Sequence, residues 1–349
     1  MPITPRLQAL ATAVPPYALK QEDVADAARR IFEDRAGEIE RLLPVFANTG
    51  IATRYSCVPL DWYLEPSDWE QRNRLYLENA ETLIERAAGR CLERAGARPE
   101  EVEALVVVST TGLATPSLDA RLMARMPFRR DTQRLPIFGL GCAGGVLGLA
   151  RAAALSRALD GGPVLLLVVE LCGLTFRRND ASNANIVASA LFGDGAAAAL
   201  VSGAETPSSA AIAGWGEHTW PDSLEVMGWR ILPDGFGVLF SQDIPSLVRR
   251  EFGAAADRFL DGRRLGRNDL DGLVCHPGGA KVVAALEAVF EPGTQGLEDA
   301  RAILRDYGNM SAATVLFVLE RIMARRLSGR HLVSALGPGF TAGFALLEA

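Results

Sequence analysis

Hydrophobic positions along the chain follow two patterns: short continuous apolar runs, and longer stretches with apolar residues three or four positions apart. The first pattern is typical of buried strands and the second of amphipathic helices. In the first part of the chain they predict helices at 22–43, 68–96, 118–126, 143–159 and 183–191, and strands at 103–109, 135–140, 163–169 and 196–201. Strands that alternate with helices predict an α/β protein with mostly parallel strands and crossover helices.

The second part of the chain repeats this order of elements. The patterns predict strands at 272–275, 331–335 and 340–347, helices at 280–290 and from 309 to 325, a loop at 291–296 and a turn at 337–339. The segment around Thr110 matches the segment around His276 at an offset of 166, and positions 141–142 match positions 308–309 at an offset of 167. A near-constant offset predicts an internal duplication, with Cys142 of one half facing Asn309 of the other.

Composition adds limits to this picture. A length of 349 residues suits about two ordinary domains, and we place the two halves at 1–203 and 204–349, tightly packed because no low-complexity linker separates them. Hydrophobic residues make up 49% of the chain and the net charge is -6, which argues against disorder and against a nucleic-acid partner. The N-terminus lacks the apolar core of a signal peptide, and no apolar run reaches the ~20 residues that span a membrane. We therefore expect a cytoplasmic protein without a membrane span.

The five cysteines are scattered and form no C-x-x-C pair, so the sequence predicts neither a disulfide framework nor a zinc site. Cys142 differs from the others because glycines flank it between a predicted strand and a predicted helix, as in a nucleophile elbow. We expect the helix N-terminus to lower its pKa and to favour the thiolate. The same stretch also fits the dinucleotide fingerprint G-x-G-x-x-G at 139–144. Asp160 has the spacing of the required acidic residue but precedes the next strand, which disfavours that alternative.

Two further residues are candidates for the same site. His276 follows a buried strand and precedes Pro277-Gly278-Gly279, and strand ends in α/β sheets are where catalytic groups collect. Asn309 lies at a predicted helix start, where it can serve as a plain N-cap, but the duplication places it opposite Cys142. A cysteine with a histidine and a side-chain amide can carry a covalent acyl thioester and stabilise an enolate or oxyanion.

The sequence resembles the type III polyketide synthases, relatives of chalcone synthase in the thiolase superfamily. The motifs that carry the resemblance are Gly141-Cys142-Ala143-Gly144-Gly145, Leu191-Phe192-Gly193-Asp194-Gly195-Ala196, Cys275-His276-Pro277-Gly278-Gly279, Gly308-Asn309-Met310-Ser311-Ala312 and Gly337-Pro338-Gly339. The resemblance implies a thiolase-like αβαβα five-layered sandwich of two duplicated halves with mixed sheets. It also implies a homodimer that uses coenzyme A thioesters directly and needs no metal or redox cofactor.

The resemblance implies roles for individual residues. Cys142 corresponds to the acyl-bearing nucleophile, and His276 and Asn309 correspond to the pair that holds the thioester carbonyl. The remaining candidates correspond to substrate-binding positions: the gatekeeper Phe192, the cavity-lining Cys172, Thr175 and Ser311, the residue that reaches across the dimer interface, Thr115, and the turn Gly337, Pro338 and Gly339. The basic residues that grip coenzyme A phosphates in plant members are mostly replaced here, by Pro44 and Asn48, which leaves Arg41 as the candidate. Residues 215–243 also depart from plant sequences and are more similar to bacterial members.

The implied reaction begins when an acyl-CoA starter acylates the Cys142 thiolate, which His276 keeps ionised as an ion pair. Malonyl-CoA then loses CO₂ while His276 and Asn309 hold its thioester oxygen, the enolate extends the chain, and the product cyclises to a pyrone, resorcinol or phloroglucinol type. Because Cys172, Thr175 and Ser311 are small, we expect a roomy cavity that favours a fatty-acyl starter or several extensions.

Two alternatives remain at this point. A ketoacyl synthase III shares the three catalytic residue types but extends a carrier-protein-bound acceptor. In that family Gln-Ala-Asn typically follows the histidine, where this chain has 277–279 as Pro-Gly-Gly. A catalytically inactive dimeric binding homologue is the other alternative, and the intact Cys142, His276 and Asn309 weigh against it.

Overall fold

The computed structural model describes residues 3–33, 36–290, 297–325 and 327–349. Its strands are β1 (Arg6–Ala13), β2 (Tyr17–Lys20), β3 (Thr53–Ser56), β4 (Ala104–Val108), β5 (Gln133–Ile137), β6 (Val164–Leu171), β7 (Asp194–Ser202), β8 (Ala210–Thr219), β9 (Met227–Leu232), β10 (Gly235–Phe240), β11 (Gly272–Cys275), β12 (Arg330–Gly337) and β13 (Thr341–Glu348). Its helices are α1 (Gln21–Ile31), α2 (Ala36–Leu42), α3 (Pro44–Asn48), α4 (Trp69–Ala95), α5 (Leu118–Met123), α6 (Gly144–Ala158), α7 (Asn183–Leu191), α8 (Ile244–Leu247), α9 (Gly253–Asp261), α10 (Ala280–Phe290), α11 (Glu298–Tyr307) and α12 (Thr314–Met323).

The large mixed sheet runs in the order β11-β12-β13-β8-β1-β7-β6-β4-β5. In the first half, β4 and β6 pair in parallel, and β6, β7 and β1 follow in antiparallel order. In the second half, β11 and β12 pair in parallel, and β12, β13 and β8 follow in antiparallel order. The two halves therefore share one topology, and a short pairing of β1 with β8 joins them.

The layers follow from the two-residue period of the strands. In β4, Leu105 and Val107 pack in one core with α4, whereas Val106 and Val108 pack in the other core with α6. The helices α6 and α12 lie between the two halves, because α6 contacts β4 and β6 on one side and β12 and β13 on the other. With α4 outside the first half and α8–α10 outside the second, the chain forms the expected α/β sandwich of five layers.

Most predicted elements are confirmed within a few residues. The α4 helix begins after Asp68, which accepts a hydrogen bond from the Gln71 backbone at 2.7 Å, and ends at Gly96 with φ +64°. The predicted helix over 22–43 is wrong as one element, since α1 ends where Phe32 turns inward to contact Phe176 and α2 forms separately. The helix predicted from 309 begins instead with a 3₁₀ turn at Ser311–Ala313. The predicted loop at 291–296 lies outside the described residues.

The duplication is present, but its register is not constant. The strands β6 and β12 begin at Val164 and Arg330, an offset of 166, whereas the 3₁₀ turns Gly141–Ala143 and Ser311–Ala313 are related by an offset of 170. Cys142 therefore corresponds to Ala312 and not to Asn309. Asn309 lies three residues before Ala312, in the connection from α11 to α12, and its side chain still lines the same cavity as Cys142. The boundary between residues 203 and 204 stays a prediction.

Candidate active site

Cys142 lies in the 3₁₀ turn Gly141–Ala143 that leads into α6. Gly141 has φ +46°, a conformation that L side chains rarely adopt, and a Cβ there would come within 2.5 Å of the Pro338 ring. Gly337 packs against the same turn, since a Cβ on it would meet Leu140 and Ala143. The turn 337–339 thus supports the Cys142 turn from the other half of the chain.

His276 and Asn309 reach the same cavity from the second half. His276 follows β11, is 5% exposed, and its backbone N–H donates to the Ser334 carbonyl at 2.9 Å. Its two ring nitrogens have no hydrogen-bond partner in the described structure, so both remain for a substrate. Asn309 follows α11, and its Oδ1 accepts the Ser311 N–H at 2.8 Å while its Nδ2 donates to the Gly278 carbonyl at 3.1 Å. This arrangement fixes the amide orientation and leaves a second Nδ2 proton for a ligand.

The cavity that these residues share contains about 820 Å³ of space outside the protein atoms, part of it open to solvent. Cys142, His276 and Asn309 all line it, together with Phe192, Cys172, Ser311 and Pro338. The Sγ of Cys142 lies 3.6 Å from Oγ of Ser311. The structure therefore brings together the three predicted catalytic residues and four of the nine predicted substrate-binding residues.

Burial governs the protonation states of the site. It raises the pKa of the Cys142 thiol to about 11, against a smaller lowering by the Ser311 hydrogen bond, and it lowers the pKa of His276 to about 4. The direction for Cys142 is opposite to the lowering of the pKa expected from the helix N-terminus, because desolvation is the largest effect on the thiol. Burial thus disfavours the charged form of both groups in the unliganded cavity and opposes the expected thiolate–imidazolium pair.

A second cavity of about 690 Å³ adjoins the first. Cys172, Phe192 and Val238 line both cavities, and Thr175 lines only the second. Thr175 is held by a hydrogen bond from its Oγ1 to the Cys172 carbonyl at 2.7 Å. Thr175, which we expected to frame the Cys142 cavity, therefore lines this neighbouring chamber, whereas Cys172 three residues earlier reaches both.

The remaining predicted residues lie apart from both cavities or at their rims. Thr115 precedes Pro116 outside the cavities, and Arg41 is exposed on α2, where its Nε donates to the Gly37 carbonyl at 3.1 Å. Neither lines either cavity. Gly339 forms the turn between β12 and β13 with φ +67°. The alternative of a dinucleotide-binding loop at 139–144 does not fit. The space beside Gly144, which such a loop keeps open or uses for close packing of its own helix and strand, is filled by Val108 and by Ala312 of the other half.

Two features close to the site were not predicted from the sequence, a hairpin over the cavity and a buried carboxylate. The hairpin of β9 and β10 covers the catalytic cavity, and Trp229 on it donates its indole N–H to the Thr110 carbonyl at 2.9 Å. Glu170 is fully buried in β6 and accepts hydrogen bonds from the Thr110 N–H at 3.0 Å and from the Thr111 hydroxyl at 2.8 Å. Burial raises its pKa to about 7. A carboxylate inside the apolar run 164–171 was the available signal for Glu170.

No helix in the described ranges is both long enough and apolar enough to cross a bilayer. Comparison with known proteins matches residues 4–206 to the N-terminal domain of chalcone and stilbene synthases and residues 216–347 to their C-terminal domain.

Among curated relatives, the chain is 37% identical to a 1,3,6,8-tetrahydroxynaphthalene synthase of Streptomyces peucetius subsp. caesius, over 97% of this chain and 92% of that protein. It is 28% identical to a 3,5-dihydroxyphenylacetyl-CoA synthase of Amycolatopsis balhimycina, over 98% and 92%. Among solved structures, the 1,3,6,8-tetrahydroxynaphthalene synthase of Streptomyces coelicolor A3(2), a bacterial type III polyketide synthase, superimposes with a TM-score of 0.91 at 28% identity, over 98% of each chain. With both halves matched and the Cys142, His276 and Asn309 side chains facing one cavity, the chain belongs to the chalcone and stilbene synthase family, the type III polyketide synthases.

Proposed function

We propose that this enzyme condenses malonyl-CoA with an acyl-CoA starter held on Cys142, in repeated decarboxylative steps that end in cyclisation. The observation that carries the proposal is the meeting of Cys142, His276 and Asn309 in one cavity, with the Asn309 amide oriented by two hydrogen bonds. The names of the relatives, which make aromatic products or a coenzyme A thioester, support this class of reaction.

The protonation states suggest the order of proton transfers. When the starter thioester binds, His276 accepts the Cys142 proton as the sulfur attacks the thioester carbonyl, and coenzyme A leaves as its thiol with that proton. Malonyl-CoA then places its thioester oxygen against a ring N–H of His276 and the free Nδ2 proton of Asn309. Loss of CO₂ leaves an enolate that these donors stabilise. The enolate carbon attacks the acyl carbonyl on Cys142, the C–S bond breaks and releases the Cys142 thiolate, and the chain, now two carbons longer, is attached to coenzyme A. For the next round the Cys142 sulfur attacks the thioester of this chain and coenzyme A leaves again, taking up a proton. These steps balance with coenzyme A thioesters alone, without a metal or a redox cofactor.

The central test separates condensation from decarboxylation. In Cys142→Ala the acyl acceptor is gone but both oxyanion donors remain, so we expect malonyl-CoA decarboxylation without chain extension. The products are followed by mass spectrometry with a panel of acyl-CoA starters. Cys91→Ala is the matched control, because Cys91 is buried on the inner face of α4 and lines neither cavity. Normal product formation by Cys142→Ala would refute the proposal.

The second cavity supports the finer proposal that the substrate is a fatty-acyl starter or a chain extended several times. Its lining is mainly apolar, with Val24, Ile31 and Phe176 among its residues. Thr175→Trp would fill it while leaving Cys142 untouched, so products should shift to shorter pyrones at nearly unchanged malonyl-CoA decarboxylation. Thr82→Trp, on the exposed face of α4, is the control. An unchanged product profile in folded Thr175→Trp would place the growing chain elsewhere.

We also propose that the enzyme is a homodimer joined along β5. This strand is the outermost strand of the large sheet, and unpaired sheet edges are sites for pairing with another chain. Large apolar side chains are exposed along or near it, with Leu113 at 46%, Leu135 at 38% and Phe138 at 54% exposure. Thr115 lies in the same region of the chain, which supports its predicted contact across the interface. Light scattering at micromolar concentration tests the dimer.

Arg41 remains the candidate contact for coenzyme A phosphates.

A further inference from the structure

A buried arginine outside the catalytic triad lies in the wall of the second cavity. Arg54, in β3, is 4% exposed, and burial lowers its pKa to about 10. Taking a guanidinium out of water is costly unless its N–H groups find acceptors. The charge of Asp194 raises the pKa of Arg54, but the Asp194 carboxylate accepts hydrogen bonds from the backbone N–H groups of Cys57 and Gly173 at 2.9 and 2.8 Å. The acceptors of Arg54 are therefore chiefly backbone carbonyls.

These carbonyls belong to the end of α7. The two terminal nitrogens of Arg54 donate to the carbonyls of Ser189, Ala190 and Phe192, at 2.7 Å for Ala190 and 2.9 Å for Phe192. The last carbonyls of a helix have no partner within the helix, so a buried cation is a natural cap for them. Gln21 completes the cap, because its Oε1 accepts from Arg54 and its Nε2 donates to the Ala190 carbonyl at 2.9 Å.

The capped segment also holds the backbone of Asn309. The Asn309 N–H donates to the Leu191 carbonyl at 2.8 Å, and the Gly193 N–H donates to the Asn309 carbonyl at 3.0 Å. In this short segment, the carbonyls of Ala190 and Phe192 thus face Arg54, whereas the Leu191 carbonyl and the Gly193 N–H face Asn309. Arg54 also packs closely against the backbone of Gly308, the residue before Asn309. A Cβ placed on Gly308 would lie only 3.3 Å from the Cβ of Arg54.

We propose that Arg54 is a positioning residue for the reaction, which sets the place of the Asn309 amide through the segment 191–193. The inference rests on the proposed function, in which Asn309 stabilises the enolate. Cys142 is held mainly by the turn at Pro338, and its link to Asn309 runs only through Ser311, whose Oγ lies 3.6 Å from the Cys142 Sγ and whose N–H donates to Asn309 Oδ1 in the described structure. A defect at Arg54 should therefore slow the step that uses Asn309 and leave the reactivity of Cys142 unchanged.

The experiment compares two rates in the full-length enzyme. The first is malonyl-CoA decarboxylation, measured as kcat and KM. The second is alkylation of Cys142 by iodoacetamide, followed by peptide mass spectrometry, which makes no use of an oxyanion hole. Loss of one oxyanion donor costs ~10²- to 10³-fold in rate, so a displaced donor in Arg54→Met should lower kcat about 10- to 100-fold, with Cys142 alkylation changed less than threefold. Arg54→Lys keeps the charge and should recover part of the loss.

Because Arg54→Met removes a buried cap, a milder variant keeps the inference testable. Gln21→Met removes one acceptor of Arg54 and one donor to Ala190, and should lower decarboxylation about threefold or more, again without changing alkylation. Arg263→Met is the matched control. Arg263 is partly buried and also donates to backbone carbonyls, those of Phe259 and Trp215, which line neither cavity and lie away from Asn309. It should destabilise the fold while leaving kcat for decarboxylation per folded enzyme unchanged.

The outcomes separate the inference from the function beneath it. Equal loss of decarboxylation and alkylation in the Arg54 and Gln21 variants, or undiminished decarboxylation in folded Arg54→Met, would overturn the positioning role. A wild-type enzyme that fails to decarboxylate malonyl-CoA at all would instead overturn the proposed function.

Discussion

The carboxyl group of Glu170 makes the stability of this protein depend on pH in an unusual direction. Most carboxylates in folded proteins stabilise the fold as the pH rises. Glu170 is fully buried, and desolvation, only partly offset by hydrogen bonds from Thr110 and Thr111, raises its pKa from an ordinary 4.5 to about 7. The folded protein therefore binds this proton more tightly than the unfolded chain does, and stability falls as the pH rises from about 4.5 to about 7.

The size of the effect follows from the two pKa values. One pKa unit is worth about 1.4 kcal/mol, so above pH 7 the buried charge costs about 3 kcal/mol relative to its neutral form. Between pH 5.5 and 8.5 the change is about 2 kcal/mol, because part of the cost is already present at pH 5.5. Glu170→Gln has no charge to bury. Its Oε1 can accept from the Thr110 N–H and the Thr111 hydroxyl, and its Nε2 can donate to the Thr110 hydroxyl.

Urea unfolding of wild type and Glu170→Gln at pH 5.5, 7.0 and 8.5 measures this difference. By the same linkage, we expect the variant to gain about 2 kcal/mol in unfolding free energy relative to wild type between the lowest and the highest pH. Other titrating groups, such as the buried Asp194, are present in both proteins and cancel. Glu93→Gln, on the exposed face of α4, should track wild type at all three values. Parallel pH curves for wild type and Glu170→Gln would refute the reasoning.

Three further predictions concern the site and the interface. Alkylation of Cys142 by iodoacetamide should accelerate nearly tenfold per pH unit from pH 7 to 10, because burial raises its pKa to about 11, and a rate independent of pH in this range would instead indicate a preformed thiolate. Asn309→Ala should lower malonyl-CoA decarboxylation ~100-fold or more by removing one oxyanion donor, and release of CO₂ at the wild-type rate would contradict that role. Phe138→Asp, which places a charge on the exposed edge at β5, should give a monomer by light scattering, whereas a dimer of unchanged affinity would place the interface elsewhere.

The sequence was most informative where one physical signal dominated. The apolar strands β4, β6 and β11 and the well-capped α4 were predicted within a few residues, because burial and capping act locally. The segment 215–240 was not resolved into β8, β9 and β10, since these strands are partly exposed and mix polar with apolar residues. The helix α11 was missed because it lies beyond the predicted loop 291–296, and its polar face dominates its composition.

In the candidate site, too, residues with a local signal could be predicted, whereas residues that act through distant contacts could not. Cys142, His276 and Asn309 were found because each stands at the end of a strand or helix close to glycine, a local signal. The offset that pairs Cys142 with Asn309 is wrong by three residues, although both side chains line one cavity. Arg54 and Trp229 could not be found in this way, because each acts through backbone carbonyls more than a hundred residues away in sequence.

The short pairing of β1 with β8 has a consequence for how this enzyme could be taken apart. That pairing covers two residues of β1, and the halves are held besides by the backbone hydrogen bonds between 191–193 and Asn309 and by side-chain packing around α6 and α12. The nucleophile belongs to one half, and the imidazole and the amide belong to the other. A chain cut between β7 and β8 would yield two fragments, each with an uncovered apolar face and neither with a complete set of reacting groups. Turnover would then report reassembly of the fragments, with a background set only by the uncatalysed reaction.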